Sequence, residues 1–212
     1  MSGTEVAAGT ETVDFGGLQI SFDARVLRPR DWTTAQSWWA AALLRDLPAG
    51  DVLELCSGAG QIGLLAVADS ARRLVCVDVS PVAASYTLHN AEAAGCIDRV
   101  SIRTGLISEV LPRGEQFPLI IADPPWVRRS ETVRFPEDPL LAIDGGDGGM
   151  DVVHECLRAI SGHLAPGGVA LLQLGTQEQA EAVAALLGGS GLVAGELREY
   201  GDRGVLLRID HA

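Results

Sequence analysis

Short apolar runs alternate with helical stretches through most of this chain. The runs that we predict as strands are VLELC (52–56), RLVCVDV (73–79), RVSIRT (99–104), FPLIIAD (117–123) and GVALLQL (168–174). The segments between them carry apolar residues at helical spacing, and the connections are short. This alternation is typical of a mainly parallel sheet that is covered by helices on both faces. The sequence therefore predicts a doubly wound α/β fold.

The C-terminal end departs from that pattern. Residues 191–200 and 204–210 are two further predicted strands, and only Gly201, Asp202 and Arg203 separate them. A crossover between parallel strands needs about a dozen residues or more. These two strands must therefore be antiparallel neighbours, which predicts a seven-stranded sheet with an antiparallel C-terminal hairpin.

The length and composition fit one folded unit. The chain has 212 residues, of which 47% are apolar and 21% are charged, enough for a single core. Residues 1–13 are small and polar, and we predict a flexible tail there. Residues 14–212 are expected to form a single domain, with a ribbon and a helix over 14–50 ahead of the core at 51–212.

The helix predicted ahead of the core carries two adjacent tryptophans, Trp38 and Trp39. Thr33 or Thr34 is expected to cap its first turn, because threonine is a favoured N-cap residue. We expect both tryptophans to pack into the core.

The charged residues exclude several functions. All 16 cationic side chains are arginine, which excludes Schiff-base lysine chemistry and the P-loop lysine of NTPases. A net charge of −12 opposes sequence-independent nucleic-acid binding but leaves a local basic groove open. No apolar run approaches the roughly 18 residues of a membrane span, and the N-terminus lacks a signal-peptide pattern. We therefore expect a cytoplasmic protein without membrane contact.

The cysteines and histidines give no metal, disulfide or hydrolase pattern. Cys56, Cys76, Cys96 and Cys156 form no CxxC pair and have no histidine at metal-ligand spacing. We expect the four thiols to be reduced and no metal to be bound. The histidines have no nucleophile at a telling spacing, so a catalytic triad is not supported.

A glycine-rich turn follows the first strand of the core. It runs Glu54-Leu-Cys-Ser-Gly58-Ala-Gly60-Gln-Ile-Gly63, between a predicted strand and a predicted helix. Glycines let the backbone approach a ligand closely, and a helix N-terminus offers unpaired N–H groups. Asp78, at the end of the second strand, can accept hydrogen bonds from both hydroxyls of a ribose. Read alone, this is the fingerprint of dinucleotide binding.

The tetrapeptide Asp123-Pro124-Pro125-Trp126 ends the fourth predicted strand. Its two prolines fix φ and carry no N–H, so they present only acceptors. The Asp123 carboxylate and the Pro124 carbonyl can accept both hydrogens of an NH2 group. Such bonds strengthen as the nitrogen becomes positive, which favours the transition state over the ground state. Trp126 would stack on a planar substrate and favour the developing charge.

Together with Glu54 and the glycine loop, this tetrapeptide resembles the class I methyltransferases that use S-adenosyl-L-methionine (SAM), a Rossmann-like family. The resemblance covers residues from about 15 to the end. It implies that the acid–glycine loop holds the methionine part of SAM and that the tetrapeptide is catalytic. The implied cofactor-binding residues are Thr33, Glu54, Cys56, Gly58, Gly60, Asp78, Val79 and Leu106. The implied catalytic residues are Asp123, Pro124, Pro125 and Trp126.

Within that superfamily the chain is similar to the HemK-type methyltransferases, which methylate the side-chain amide of glutamine in proteins. FGGLQISFDARVLRPRDWT (15–33) is similar to that family's ribbon and Arg-Pro segment. Residues 141–151 are similar to its Leu-Asp-Gly-Gly stretch after the tetrapeptide. The resemblance implies an N-methyltransferase that acts on an amide or amine nitrogen, foremost of a protein or peptide.

Three features depart from that family's pattern. The family has Asn where this chain has Asp123, and Asp-Pro-Pro-Trp is the form familiar from RNA adenine enzymes. Bacterial members carry an N-terminal helical domain that grips the protein substrate, whereas residues 1–51 alone precede the first core strand here. Gly105 and Leu106 replace an acid near the adenine amino group. A small-molecule or nucleobase amine is therefore an alternative acceptor.

Three arginines follow the tetrapeptide within seven residues: Arg128, Arg129 and Arg134. They form either a solvated lid or a clamp on an anionic substrate. Two further interpretations of the whole chain stay open. One is an NAD-dependent oxidoreductase built on the same glycine loop, which explains neither the tetrapeptide nor the hairpin. The other is a methyltransferase-like subunit that has lost activity and supports a partner.

Overall fold

The computed structural model describes residues 9–212, which form nine strands and seven α-helices. The strands are β1 (Glu11–Phe15), β2 (Leu18–Phe22), β3 (Val52–Leu55), β4 (Leu74–Asp78), β5 (Val100–Thr104), β6 (Phe117–Ala122), β7 (Leu164–Leu174), β8 (Leu192–Glu199) and β9 (Val205–His211). The helices are α1 (Thr34–Leu43), α2 (Gln61–Val67), α3 (Pro81–Ala93), α4 (Ile107–Val110), α5 (Leu140–Ile143), α6 (Asp151–His163) and α7 (Gln177–Leu186).

Strands β3 to β9 form one seven-stranded sheet in the order β5-β4-β3-β6-β7-β9-β8. Neighbouring strands from β5 to β7 are parallel, whereas β9 runs antiparallel to both β7 and β8. The predicted doubly wound, Rossmann-like sheet with an antiparallel C-terminal hairpin is confirmed. The last strand of the chain, and not β8, pairs with the parallel part of the sheet.

Helices cover both faces of this sheet. Successive residues of β3 point to opposite faces, so Val52 joins the core under α1, α2 and α3, and Leu53 joins the core under α6 and α7. Every residue of β3 and β6 is buried. Burial on both faces explains why these strands are nearly continuous apolar runs in the sequence. No helix within residues 9–212 is both long enough and apolar enough to cross a bilayer.

The register of the central strands brings three chain segments together. Leu55 of β3 pairs with Val77 of β4 on one side and with Ala122 of β6 on the other. The chain winds outward in opposite directions from β3, and ligands of such sheets bind at the carboxyl ends of the strands at this point. The glycine loop, the end of β4 and the tetrapeptide therefore lie beside one another.

Strands β1 and β2 form an antiparallel ribbon ahead of the sheet. Asn90 of α3 holds it in place: its Oδ1 accepts the Ser21 N–H at 2.8 Å, and its Nδ2 donates to the Ser21 carbonyl at 2.9 Å. Residues 1–8 of the predicted tail lie outside the described residues. The prediction of a flexible tail is wrong for residues 11–13, because these residues belong to β1 and pair with residues 20–22 of β2.

Helix α1 begins without a side-chain cap. The hydroxyl of Thr33 donates to the Arg30 carbonyl at 2.8 Å, and the hydroxyl of Thr34 donates to the Asp31 carbonyl at 2.6 Å. The predicted cap by Thr33 or Thr34 is wrong, because a 3-10 turn at Asp31–Thr33 leads directly into the helix. Trp39 packs into the core as predicted, whereas Trp38 remains half exposed.

Candidate active site

A cavity of about 360 Å³ opens at the carboxyl ends of β3, β4 and β6. The predicted site residues that line it are Cys56, Gly58, Asp78, Val79, Leu106, Asp123 and Pro125. Its other polar side chains come from the segment after the ribbon and from α2, α3, α4 and α6: Arg25, Gln61, Ser80, Ser108 and Glu155. The cavity thus joins the predicted cofactor loop to the predicted catalytic tetrapeptide.

The glycine loop needs glycine at two positions. Gly58 and Gly60 have φ values of 56° and 80°, in the left-handed region that side chains disfavour. A Cβ on Gly60 would lie 2.9 Å from Thr87 Cγ2, and the Thr87 hydroxyl donates to the Gly58 carbonyl at 3.0 Å. The loop is therefore seated tightly against α3. Cys56, with φ of 58°, shares this strained conformation at the cavity wall.

Asp78 fixes the loop from the side of β4. Its Oδ2 accepts the Gly58 N–H and its Oδ1 accepts the Ser80 N–H, both at 2.8 Å. Burial raises the pKa of Asp78, and the bonds from backbone N–H groups oppose that rise. Each carboxylate oxygen has a second acceptor site, so Asp78 can still bind two hydroxyls of a ligand.

Two apolar side chains remain exposed at the mouth of the cavity. Val79, next to Asp78, is 46% exposed, and Leu106, after β5, is 54% exposed. The Gly105 N–H donates to the Asp78 carbonyl at 3.0 Å, which holds the two segments together. This pair offers an apolar surface for a planar ring next to an acceptor for hydroxyls.

Glu54 lies under the glycine loop, outside the cavity lining. Its side chain is buried, and its Oε1 accepts the Gly63 N–H at 2.9 Å. Burial raises the pKa of Glu54 to about 8, and the nearby Asp123 and Asp78 carboxyls add to the rise. In this arrangement Glu54 supports the loop through α2.

Asp123 presents a carboxyl to the cavity. It accepts no hydrogen bond from any residue in the described range 9–212, and burial alone raises its pKa to about 7. The carbonyl of Pro124 likewise accepts no hydrogen bond within that range; Pro124 is buried between the lining residues Asp123 and Pro125 but does not itself line the cavity. Two adjacent acceptors thus have no donor among the described residues, which leaves them available to a ligand.

Trp126 is held by a contact that the sequence did not reveal. Gln179 of α7 donates from Nε2 to the carbonyls of Trp126 at 3.0 Å and Gly149 at 3.2 Å, and its Oε1 accepts the Gly175 N–H at 2.8 Å. The Trp126 ring lies against Gly175, where any Cβ would collide with it. Thr176 caps α7, because its hydroxyl oxygen accepts the Gln179 N–H at 3.2 Å. The indole ring itself does not line the cavity.

The comparisons with known proteins agree with this geometry. A family model described as "Conserved hypothetical protein 95" matches residues 23–135, more than half of the chain. A release factor glutamine methyltransferase of Clostridium acetobutylicum is 30% identical over 201 residues, which cover 90% of this chain and 69% of that protein. The chain belongs to the HemK-type methyltransferase family.

Another HemK-type relative is the ribosomal protein uL3 glutamine methyltransferase of Bordetella pertussis, 32% identical over 166 residues. That match covers 75% of this chain and 55% of the relative, so the chain spans little more than half of that protein. The crystal structure of a ribosomal protein L11 methylase from Lactobacillus delbrueckii subsp. bulgaricus has a TM-score of 0.64 at 16% identity, covering 89% of this chain and 83% of the other. It shows that the methyltransferase fold is shared.

The three arginines of the predicted substrate clamp are exposed and paired in this HemK-type chain. Arg128 lies 3.5 Å from Glu178, Arg129 lies 3.0 Å from Asp144, and Arg134 lies 3.4 Å from Glu131. None of the three lines the cavity. Their positive charge is therefore largely balanced by neighbouring carboxylates in this state.

Thr33 and Gln61 show the limits of the sequence-based set. Thr33 is buried, and its hydroxyl is used by the Arg30 carbonyl, so it does not line the cavity. Gln61, the first residue of α2, lines the cavity, and its buried Oε1 has no hydrogen-bond partner within residues 9–212. The only sequence signal for Gln61 is its place directly after the glycine loop.

Proposed function

We propose that this protein is a SAM-dependent enzyme that transfers a methyl group to the side-chain amide nitrogen of glutamine in a protein. The observation that carries the proposal is the Asp123 carboxyl, which faces the cavity with no donor of its own. The release factor and uL3 enzymes that resemble this chain carry glutamine methyltransferase in their names.

The residues of the cavity fit SAM. Asp78 offers acceptors to the ribose hydroxyls, while the exposed Val79 and Leu106 offer an apolar surface to the adenine. The left-handed Gly58 and Gly60 bring the backbone close to the remaining, methionine part. Gln61 adds a buried amide oxygen without a partner, which suits an ammonium group. When bound, SAM supplies an electrophilic methyl group on a sulfonium.

The residues of this chain would prepare the acceptor nitrogen. An amide NH2 placed against the cavity wall donates one hydrogen to the Asp123 carboxylate and the other to the Pro124 carbonyl. These bonds hold the nitrogen in line and strengthen as it becomes positive, which lowers the barrier. As the new N–C bond forms at the expense of the bond between the methyl carbon and sulfur, the Asp123 carboxylate takes the proton that the nitrogen loses. A pKa near 7 suits Asp123 to accept and then release that proton.

A second candidate acceptor is an amine of a small molecule or a nucleobase. The observation that favours it is Asp123 itself, because the HemK-type pattern has Asn at this position. A carboxylate can accept hydrogen bonds from the NH2 group of an amine as well as from that of an amide. The net charge of −12 opposes long-range attraction to nucleic acid, so a protein acceptor ranks first. A cytoplasmic location remains a prediction that suits a protein acceptor of this kind.

Methyl transfer from labelled SAM into a bacterial lysate tests the proposal directly. We expect label in the protein fraction that acid hydrolysis releases as methylamine, because hydrolysis of an N-methylated glutamine side chain gives glutamate and methylamine, and we expect this label to be absent with Asp123→Ala. Label confined to the small-molecule or nucleic-acid fraction would favour the second candidate. A thermal-shift comparison of S-adenosylhomocysteine with NADH completes the test, since stabilisation by NADH alone would overturn the cofactor assignment.

A further inference from the structure

One ion pair holds the far part of the loop that follows the tetrapeptide. We call residues 133–141 the loop tip. Asp138 in the tip accepts from Nη2 of Arg30 with both carboxylate oxygens, each at 2.6 Å. Within residues 9–212, the side chains of the tip make no other hydrogen bond or ion pair to any residue outside the loop 126–149. The pair joins positions that are 108 residues apart in sequence.

No side chain of the tip belongs to either hydrophobic core of the described residues. Val133 is 80% exposed, Leu140 is 62% exposed, and Phe135 is only partly buried. The Asp138 side chain, in contrast, is only 7% exposed, and that of Arg30 is 26% exposed. A carboxylate buried to this degree depends on its partner, because removal of the cation leaves an uncompensated charge.

Arg30 is itself held firmly. Its guanidinium lies 5.7 Å from the centroid of the Trp32 ring, and Arg203 of the C-terminal hairpin lies 5.4 Å from the same ring. The Arg30 carbonyl accepts both the N–H and the hydroxyl of Thr33, at 2.9 Å and 2.8 Å. The segment that carries Arg30 is thus tied to α1 and to the end of the sheet.

The tip continues directly into the wall of the cavity. Asp138 is followed by Pro139 and by the short helix α5, and Leu141 and Ala142 of α5 line the cavity. The end of α5 reaches back to the tetrapeptide, since the Val127 N–H donates to the Ile143 carbonyl at 3.0 Å. A displacement of the tip would therefore reach both the cavity wall and the residue after Trp126.

We propose that Arg30 and Asp138 are positioning residues that latch the loop tip to the segment before α1 and so keep the acceptor side of the cavity in shape. This assignment rests on the proposed methyl transfer for its effect on rate, but not for its effect on the loop. Neither residue lines the cavity. The latch acts through α5 and Val127.

Trypsin provides a readout of the latch that needs no activity. The chain contains no lysine, so trypsin cuts only after arginine, and Arg128, Arg129 and Arg134 lie exposed in the loop. The variants are Arg30→Gln, Asp138→Asn and the double variant. The matched control is Arg103→Gln, which breaks the pair of Arg103 with Glu115; the Arg103 side chain has the same 26% exposure as that of Arg30 but lies in β5, outside the loop.

We expect cleavage after Arg134 to be several-fold faster in Arg30→Gln and Asp138→Asn than in the wild type and the control, with thermal unfolding still cooperative. We also expect kcat for the transfer of labelled methyl from SAM to the acceptor protein to fall about tenfold in these two variants. Their affinity for S-adenosylhomocysteine should change less. The double variant should lose no more than either single variant, because the two residues act as one unit.

Two results would overturn the latch: cleavage of the loop at the wild-type rate in both single variants, or losses in kcat that add in the double variant. A wild-type protein that transfers no methyl group would instead overturn the proposed function. The trypsin comparison would still decide the latch in that case, so the two failures are distinguishable.

Discussion

The carboxyl of Glu54 accepts the backbone N–H of Gly63 at 2.9 Å and thereby ties β3 to α2 across the back of the glycine loop. Its other oxygen accepts the thiol of Cys76 at 3.4 Å. A Cβ at Gly63 would collide with this carboxyl, so the contact itself requires glycine. Glu54 thus supports the glycine loop through Gly63 without lining the cavity, whereas Asp78 and Gly58 line the cavity.

This buried carboxyl makes stability depend on pH. Burial raises the pKa of Glu54 from its ordinary value of 4.5 to about 8, so between these pH values the folded protein holds a proton that the unfolded chain has released. The free energy of unfolding therefore falls as pH rises through this window. Glu54→Gln keeps an acceptor for Gly63 and has no proton to lose. We expect the variant to lose less stability than the wild type between about pH 5 and pH 9, by about 1 kcal/mol or more.

Urea unfolding at several pH values measures this difference. Asp98→Asn is a suitable control, because Asp98 is exposed on the surface and far from the glycine loop in the sequence. If the free energies of unfolding of wild type and Glu54→Gln change with pH in the same way, the prediction is contradicted, because the pKa of Glu54 would then not be raised in the folded protein.

Asp123 is expected to act on turnover and not on cofactor affinity. Asp123→Ala removes one of the two free acceptors that we propose for the substrate NH2 group, and we expect kcat to fall about a hundredfold or more. The affinity for S-adenosylhomocysteine, measured by calorimetry, should stay within about threefold, because the contacts of Asp78 and the glycine loop remain. A wild-type kcat in Asp123→Ala would contradict the proposed mechanism.

The same residue predicts the pH dependence of methyl transfer. Burial raises the pKa of Asp123 to about 7, so the carboxylate form is lost as pH falls below that value. We expect kcat/KM to fall about tenfold per pH unit below pH 7 and to be flat above it. Asp123→Asn has no titrating group and should abolish this limb. A wild-type profile that is flat from pH 5 to pH 8 would contradict the assignment.

Much of the sheet was predictable, because its cause is local. Burial of β3 and β6 on both faces requires continuous apolar runs, and the five residues between β8 and β9 permit only an antiparallel turn. The place of β9 between β7 and β8 was not predictable in this way. It depends on which edge of β7 is free, and the local sequence does not encode that.

Site residues that act through their backbone conformation could be predicted from the sequence. Site residues whose side chains have several possible partners could be predicted less well. Gly58 and Gly60 need left-handed φ, and the sequence shows that need directly. The sequence does not show whether the Glu54 side chain reaches the cavity or Gly63. Alternation along β3 places it on the face opposite Leu53, where it accepts the Gly63 N–H. The pairing of Arg129 with Asp144 depends on how the loop folds back over 15 residues, which spacing alone does not reveal.

Asp78 is expected to be the main side-chain determinant of cofactor affinity. Asp78→Ala removes the acceptor for the ribose and also frees the N–H groups of Gly58 and Ser80. We expect the Kd for S-adenosylhomocysteine to rise about tenfold or more, measured by calorimetry. Asp98→Ala serves as the control, since Asp98 is exposed and outside the cavity. An unchanged Kd in Asp78→Ala would mean that the ribose is bound elsewhere.

Gly175 is expected to set the position of Trp126. A methyl group at Gly175 would collide with the indole ring, so Gly175→Ala must displace the ring or the end of β7. Gly148→Ala is the matched control, because a Cβ there meets nothing within 4 Å although the next residue, Gly149, also accepts a hydrogen bond from Gln179. We expect Gly175→Ala to cost about 1–3 kcal/mol in the free energy of unfolding, measured by urea titration.

The kinetic consequence separates two roles for the indole. If Trp126 stacks on the acceptor, Gly175→Ala should raise KM for the protein substrate and lower kcat about tenfold, with cofactor affinity unchanged. Gly148→Ala should leave both constants near their wild-type values. Because Gln179 still holds the Trp126 carbonyl in Gly175→Ala, the backbone of the tetrapeptide keeps one of its supports. A loss of stability with kcat and KM unchanged would therefore show that the ring packs on β7 without reaching the acceptor.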